Sequence, residues 1–236
     1  MRVSQTATQG SVGGGHLEWQ ACAHARALLD GAPVPTRVRY ALGANLGQCC
    51  GGEVVLDFAR YPDAASALAA QPAAEQAGGP VAVFGAGHVG QALVPVLLAL
   101  PMAVQWFDSR AGVLPGAGMP GLVVEQLEPL PDAVADLAAG TQVLILTHSH
   151  ALDLELVAAC LQRQQQAGDL AFVGLIGSAT KWQSFRQRLR QRGFTDAALD
   201  QVTCPIGLAG IPGKQPGVIA VAVAAQLLQR AATPTR

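Results

Sequence analysis

Aromatic and charged side chains are scarce in this chain. Phe, Trp and Tyr make up 5% of its 236 residues and charged side chains 13%. With a net charge of −1 there is no basic footprint for nucleic acid or for an anionic membrane surface. Long apolar runs are missing as well: 50% of the residues are hydrophobic, yet no uninterrupted run reaches the length of a bilayer span. The opening residues, Met1 to Gln5, are polar and lack the apolar core of a signal peptide. The five cysteines cannot all pair and show no disulfide framework, so a reducing cytoplasm is the expected compartment. What remains is a globular chain long enough for one large or two modest domains.

The organising stretch is Val81–Asp108. The apolar run Val81–Phe84 breaks into Gly85-Ala86-Gly87-His88-Val89-Gly90, an apolar helical stretch runs to Leu100, and a second apolar run ends at Asp108. Strand, glycine turn, helix, strand and acid occur in the order that a dinucleotide-binding βαβ unit requires. Gly85 suits the tight turn, Gly87 the approach of a phosphate, and Gly90 the packing of helix on strand. The helix start near His88 offers free N–H groups to an anion, and Asp108 stands where a ribose-binding acid belongs.

From Val81 onward strand and helix patterns alternate, which predicts a Rossmann-like, doubly wound parallel sheet in the order 3-2-1-4-5-6 over residues 81–236. Its strands are expected near 81–84, 103–107, 122–125, 142–147, 171–176 and 201–204. Residues 61–80, rich in Ala, Gln, Pro and Gly, read as a linker. Residues 1–60, with short strands, glycine turns and one helix, read as a smaller α+β domain. There, Gly13-Gly14-Gly15 before a helix suits either an anion-binding nest or a flexible turn.

Other residues invite a chemical role. Cys49 and Cys50, between Gln48 and Gly51, can present thiolates to a soft metal or a transferable sulfur, or pack as two small apolar side chains. His148 and His150 follow an apolar strand ending at Leu146, with Asp153 three residues on and a helix expected from Leu154. They suit donors to a ligand, a helix entry or, less well, a metal cluster. Lys181, Arg186, Arg188, Arg190 and Arg192 read as a solvated basic face or a docking face on a helix over 179–192. Lys214, just before a final helix from Pro216, suits a phosphate contact or a solvated lysine.

Six stretches together resemble one family: SVGGGHLEW (11–19), LGQCCGG (46–52), FGAGHVG (84–90), THSHALDLEL (147–156), FVGLIGSATKW (172–182) and the run from Thr203 to Leu228. They are similar, in this order, to the xanthine dehydrogenase accessory proteins of the XdhC family. The resemblance implies a cytoplasmic chaperone, not an enzyme, that binds the molybdenum cofactor (molybdopterin) through the Cys49-Cys50 turn. Such a chaperone holds the cofactor while a cysteine desulfurase installs its terminal sulfur, then delivers it to apo xanthine dehydrogenase. A homo-oligomer is expected, with no nucleic-acid or membrane partner. The competing expectation is an NAD(P)-dependent oxidoreductase that uses Asp108 on the adenosine ribose, and a third is a scaffold that binds no small molecule.

Overall fold

The computed structural model describes residues 1–42, 52–63, 66–67, 79–116, 119 and 121–231. Gln48, Cys49, Cys50 and Gly51 lie outside them. The chain divides into two compact units, Met1–Pro72 and Ala73–Arg236.

In the first unit, β1 (Arg2–Val3) pairs antiparallel with β2 (Thr8–Gln9), and β3 (Arg37–Ala41) with β4 (Glu53–Asp57). Between the two pairs runs helix α1, Gly15–Leu29, which buries Leu17, Ala21 and Cys22. Positions 17 and 21 are one helical turn apart, so they share the inward face. The glycine nest is filled from within the chain: Glu18 accepts from the Ser11 hydroxyl and from the Val12 and Gly14 amides. Those bonds, the Ser11 hydroxyl foremost, hold its carboxyl below the usual glutamate range. The anion that the nest attracts is its own helix's side chain.

The second unit is a six-stranded sheet. Its elements run β5 (Pro80–Phe84), α2 (His88–Leu98), β6 (Ala103–Asp108), β7 (Leu122–Gln126), a 3-10 turn at Leu130–Asp132, α3 (Ala133–Asp136), β8 (Gln142–Ile145), α4 (His150–Gln166), β9 (Phe172–Leu175), α5 (Ala179–Gln191), α6 (Asp196–Leu199), β10 (Val202–Thr203) and α7 (Pro216–Ala231). The order across the sheet is β7-β6-β5-β8-β9-β10 and every pairing is parallel, which is the predicted 3-2-1-4-5-6. The fold is therefore α/β and doubly wound.

Parallel strands covered on both faces read as continuous apolar runs, and β5 and β8 do. Val81 and Val83 point to one core, with Leu93, Leu97, Trp106 and the α7 residues Ala220, Val223 and Leu227. Ala82 and Phe84 point to the other, with Ile145, Leu154, Leu161, Phe185 and Leu189. Thus α2 and α7 cover one face and α4 and α5 the other, fixing which helix ends meet at the sheet's carboxyl edge. The crossover between β7 and β8 uses only the 3-10 turn and α3. Among the described residues no helix is long and apolar enough to cross a membrane.

One boundary differs from the sequence reading in a way that matters. Helix α4 starts at His150, not at Leu154, because the Ser149 side chain caps it by accepting from the Leu152 amide. His150 and Asp153 consequently sit in a helical first turn instead of a loop.

Candidate functional site

Ligands of open α/β sheets bind beyond the carboxyl ends of the strands, where the strand order reverses. Here that point lies between β5 and β8, and two clusters flank it.

The first is the turn from Gly85 to Gly90. Gly85 has φ +117, and a Cβ there would lie 2.4 Å from the Leu146 carbonyl oxygen. At Gly90 a Cβ would lie 2.2 Å from the Gly85 oxygen, which also accepts from Trp106 Nε1 at 3.0 Å. Both glycines are therefore demanded by the fold. Gly87 is different: a Cβ there would meet nothing within 4 Å. It is the N-cap of α2 and supplies no side-chain hydrogen bond, so no side chain caps the first turn, which begins at the exposed His88.

Asp108 belongs to this cluster, but it faces inward. It is 2% exposed. Its Oδ2 accepts from the Ala86 amide (2.7 Å) and Arg110 Nη2 (2.8 Å), and its Oδ1 from the Arg110 amide (2.9 Å) and Nε (3.0 Å). A carboxylate offers about four lone-pair sites, and these four bonds fill them. Burial pushes the carboxyl up. The Arg110 side chain and amide, the Ala86 amide and the Arg110 charge outweigh that and hold it at about 2. The sequence position suggested a ribose acid; the structure uses this carboxylate to tie the glycine turn to β6.

The second cluster lies across the switch point. Thr147, His148, His150, Asp153, Gly177 and Lys181 help line a cavity of about 330 Å³. Lys181 and Asp153 form an ion pair, Nζ to Oδ2 at 2.6 Å, with side chains 10% and 1% exposed. Asp153 Oδ1 also accepts from the Thr147 amide (3.1 Å) and hydroxyl (2.7 Å). Its commitment to Lys181 and Thr147 removes it from a metal shell with the histidines. Among the described residues no group of three or more His, Cys, Asp or Glu can hold a metal ion.

The sequence reading named His148 and His150 but assigned Asp153 no role of its own and placed Lys181 on a basic face. Lys181 is the third residue after the Ser178 cap, in the first turn of a helix that leaves a parallel strand. Asp153 is the fourth residue after the Ser149 cap of α4, also in a first turn. Their common place in the first turn of a helix leaving a parallel strand was the available signal. The rest of the basic face is largely neutralised by the chain's own acids. Arg186 pairs with Asp196 and Asp200, Arg190 with Asp196, and Arg192 with Glu155. Lys214 is exposed, its amide bonded to Gln215 Oε1.

Burial raises two of the thiols, Cys160 to about 12 and Cys204, near Lys181, to about 11.

No curated protein matches the chain. Among solved structures, a Bacillus halodurans protein described as a xanthine dehydrogenase aligns over 98% of this chain and 87% of its own, at 19% identity and TM-score 0.64. At that identity the likeness shows the fold alone. The structure described as chuY of E. coli strain CFT073 aligns over 66% of this chain and 91% of its own, at 16% identity and TM-score 0.40, and nothing is argued from it. The family model that matches is the XdhC Rossmann domain, over residues 81–227. That span runs from β5 through Leu227 of α7 and takes in both clusters at the sheet edge, so the chain belongs to the XdhC family.

Proposed function

We propose that this protein is an accessory factor of xanthine dehydrogenase: it binds the molybdenum cofactor as cargo, holds it during sulfuration by a cysteine desulfurase, and hands it to the apo enzyme. Family membership supplies the general role. The observation that carries the cargo assignment is the contrast within the Gly85–Gly90 turn. Its helix start is open at Gly87 and uncapped, which suits a phosphate. Its acid is saturated by Arg110 and Ala86, which leaves no acceptor for an adenosine ribose. A phosphate-bearing cargo fits these donors better than a nicotinamide dinucleotide does. The soft anchor for the metal end is assigned to Cys49 and Cys50 on their chemistry, since thiolates suit a soft metal.

The test mixes the purified chain with released molybdenum cofactor, passes it through a sizing column and measures molybdenum and pterin in the protein peak. Retention by the wild type, and its loss in Cys49→Ala/Cys50→Ala with the circular dichroism spectrum unchanged, is the expected result. Equal retention in the double variant ends the cysteine assignment. Calorimetry with NAD and NADP should give no binding. Micromolar binding, or turnover of any substrate with either nucleotide, would move the protein to the oxidoreductases.

A further inference from the structure

The cavity between the first turns of α4 and α5 has more built into it than an ion pair needs. Strands β8 and β9 end side by side, and each feeds a helix whose first turn carries one charged residue, Asp153 or Lys181. Lys181 Nζ donates to Asp153 Oδ2 and, at 2.9 Å, to the Ile176 carbonyl. An ammonium carries three protons; Nζ also lies 5.3 Å from the centroid of the Phe185 ring, and the Asp153 and Ile176 oxygens are its only oxygen acceptors among the described residues. Asp153 is nearly sealed off, whereas the tenth of Lys181 that remains exposed borders the cavity.

The approach of the lysine is also prepared. A Cβ at residue 177 would lie 2.7 Å from Lys181 Cδ and 3.3 Å from Cys204 Sγ. A side chain at 177 would crowd the lysine stem where it folds back along the strand end towards Asp153.

The remaining walls offer donors. His148 and His150 are exposed and line the cavity. The Ser178 oxygen accepts from the Lys181 amide, which leaves its hydroxyl proton free to donate. Helices α4 and α5 both begin here, adding the positive ends of two dipoles. The one acidic group is spent on Thr147 and Lys181.

We propose that this cavity is a second ligand site, one that binds a phosphate group, free or esterified, through Lys181 with His148, His150 and Ser178 as further donors and Asp153 as the residue that positions the lysine. The proposal stands apart from the cargo assignment, because it concerns the other side of the switch point and its test uses phosphate compounds alone.

The experiment follows the His148 and His150 imidazole resonances of the full chain during titration with inorganic phosphate and, separately, with glycerol 3-phosphate. Saturable shifts at both histidines are expected. Lys181→Ala alone would strand Asp153 as a buried charge and risks the fold. The working variant is therefore Asp153→Asn/Lys181→Met, which removes both charges together; affinity should fall at least tenfold. Gly177→Ala, which displaces the lysine stem without changing charge, should weaken binding in the same direction. Arg188→Ala, an exposed cation on the same helix, should leave it unchanged. Tighter binding of the ester assigns the site to an esterified molecule, and tighter binding of the inorganic ion assigns it to free phosphate; both sustain the proposal. Absence of saturable shifts in the wild type overturns it, as does equal affinity in the folded double variant.

Discussion

Replacing Asp108 with Asn tests the reading that this carboxylate fastens the glycine turn instead of a ribose. Asn keeps the shape but turns an NH₂ group towards Ala86 or Arg110, setting donor against donor. The wild-type carboxyl is held at about 2, against an ordinary aspartate value of 3.8. At 1.36 kcal/mol per pH unit that depression corresponds to about 2 kcal/mol of stability. The Asp108 side chain is 2% exposed but its partner Arg110 is 37% exposed, so solvent screens part of this and about 2 kcal/mol is the upper figure. Because the folded pKa lies below the unfolded one, the contribution is complete above about pH 5 and is lost as pH falls through about 2. At pH 7 the variant should be less stable by up to about 2 kcal/mol, a drop in Tm of at most roughly 8 °C for a chain of this size. At pH 3 the gap should narrow to about half, because the unfolded-state carboxyl, with its ordinary value of 3.8, is then largely protonated while the folded one is still mostly ionised. Urea denaturation of both proteins at pH 7, 5, 4 and 3 measures it. A gap independent of pH, or none at pH 7, would refute the assignment of Asp108 as a charged fastener.

The glycines of the turn should separate fold from function. Gly85→Ala, with its φ of +117 and a backbone oxygen 2.4 Å from the new Cβ, should cost at least about 3 kcal/mol and show a collapsed Tm. Gly87→Ala should change stability by no more than about 0.5 kcal/mol, because the methyl enters open space. It should still lower molybdenum cofactor retention roughly tenfold by covering the helix amides; unchanged retention would remove the turn from the cargo site. In iodoacetamide labelling at pH 8 followed by peptide mapping, Cys160 and Cys204 should stay unmodified in the folded protein, since their thiols sit at about 12 and about 11. Rapid labelling of Cys160 without unfolding would contradict its burial. Glu155→Gln should leave Arg192 without its partner on α4 yet change stability by less than about 1 kcal/mol, because both side chains are substantially exposed.

The sequence by itself determined the sheet. The apolar run before Gly85, the glycine spacing and the strand–helix alternation sufficed for the parallel order, because a right-handed crossover leaves few other ways to cover both faces of such strands. The places of Gly85, Gly87, Gly90, His148 and His150 at strand ends followed from the same pattern. What each residue does there was decided in three dimensions. Asp108 occupies the predicted position, yet Arg110 two residues on and the Ala86 amide across the turn saturate it, and sequence spacing says nothing about which donors reach a carboxylate first. The glycine nest at 13–15 is closed by Glu18 in the same way, through bonds set by the helix's first turn. The Asp153–Lys181 pair spans 28 positions and exists only because β8 and β9 are neighbours and both helices start one residue after a serine cap. Local pattern fixes where strands and helices fall, because period and turn chemistry act over a few residues. Which polar groups satisfy one another depends on contacts between elements, and those exist only once the sheet has brought its strand ends together.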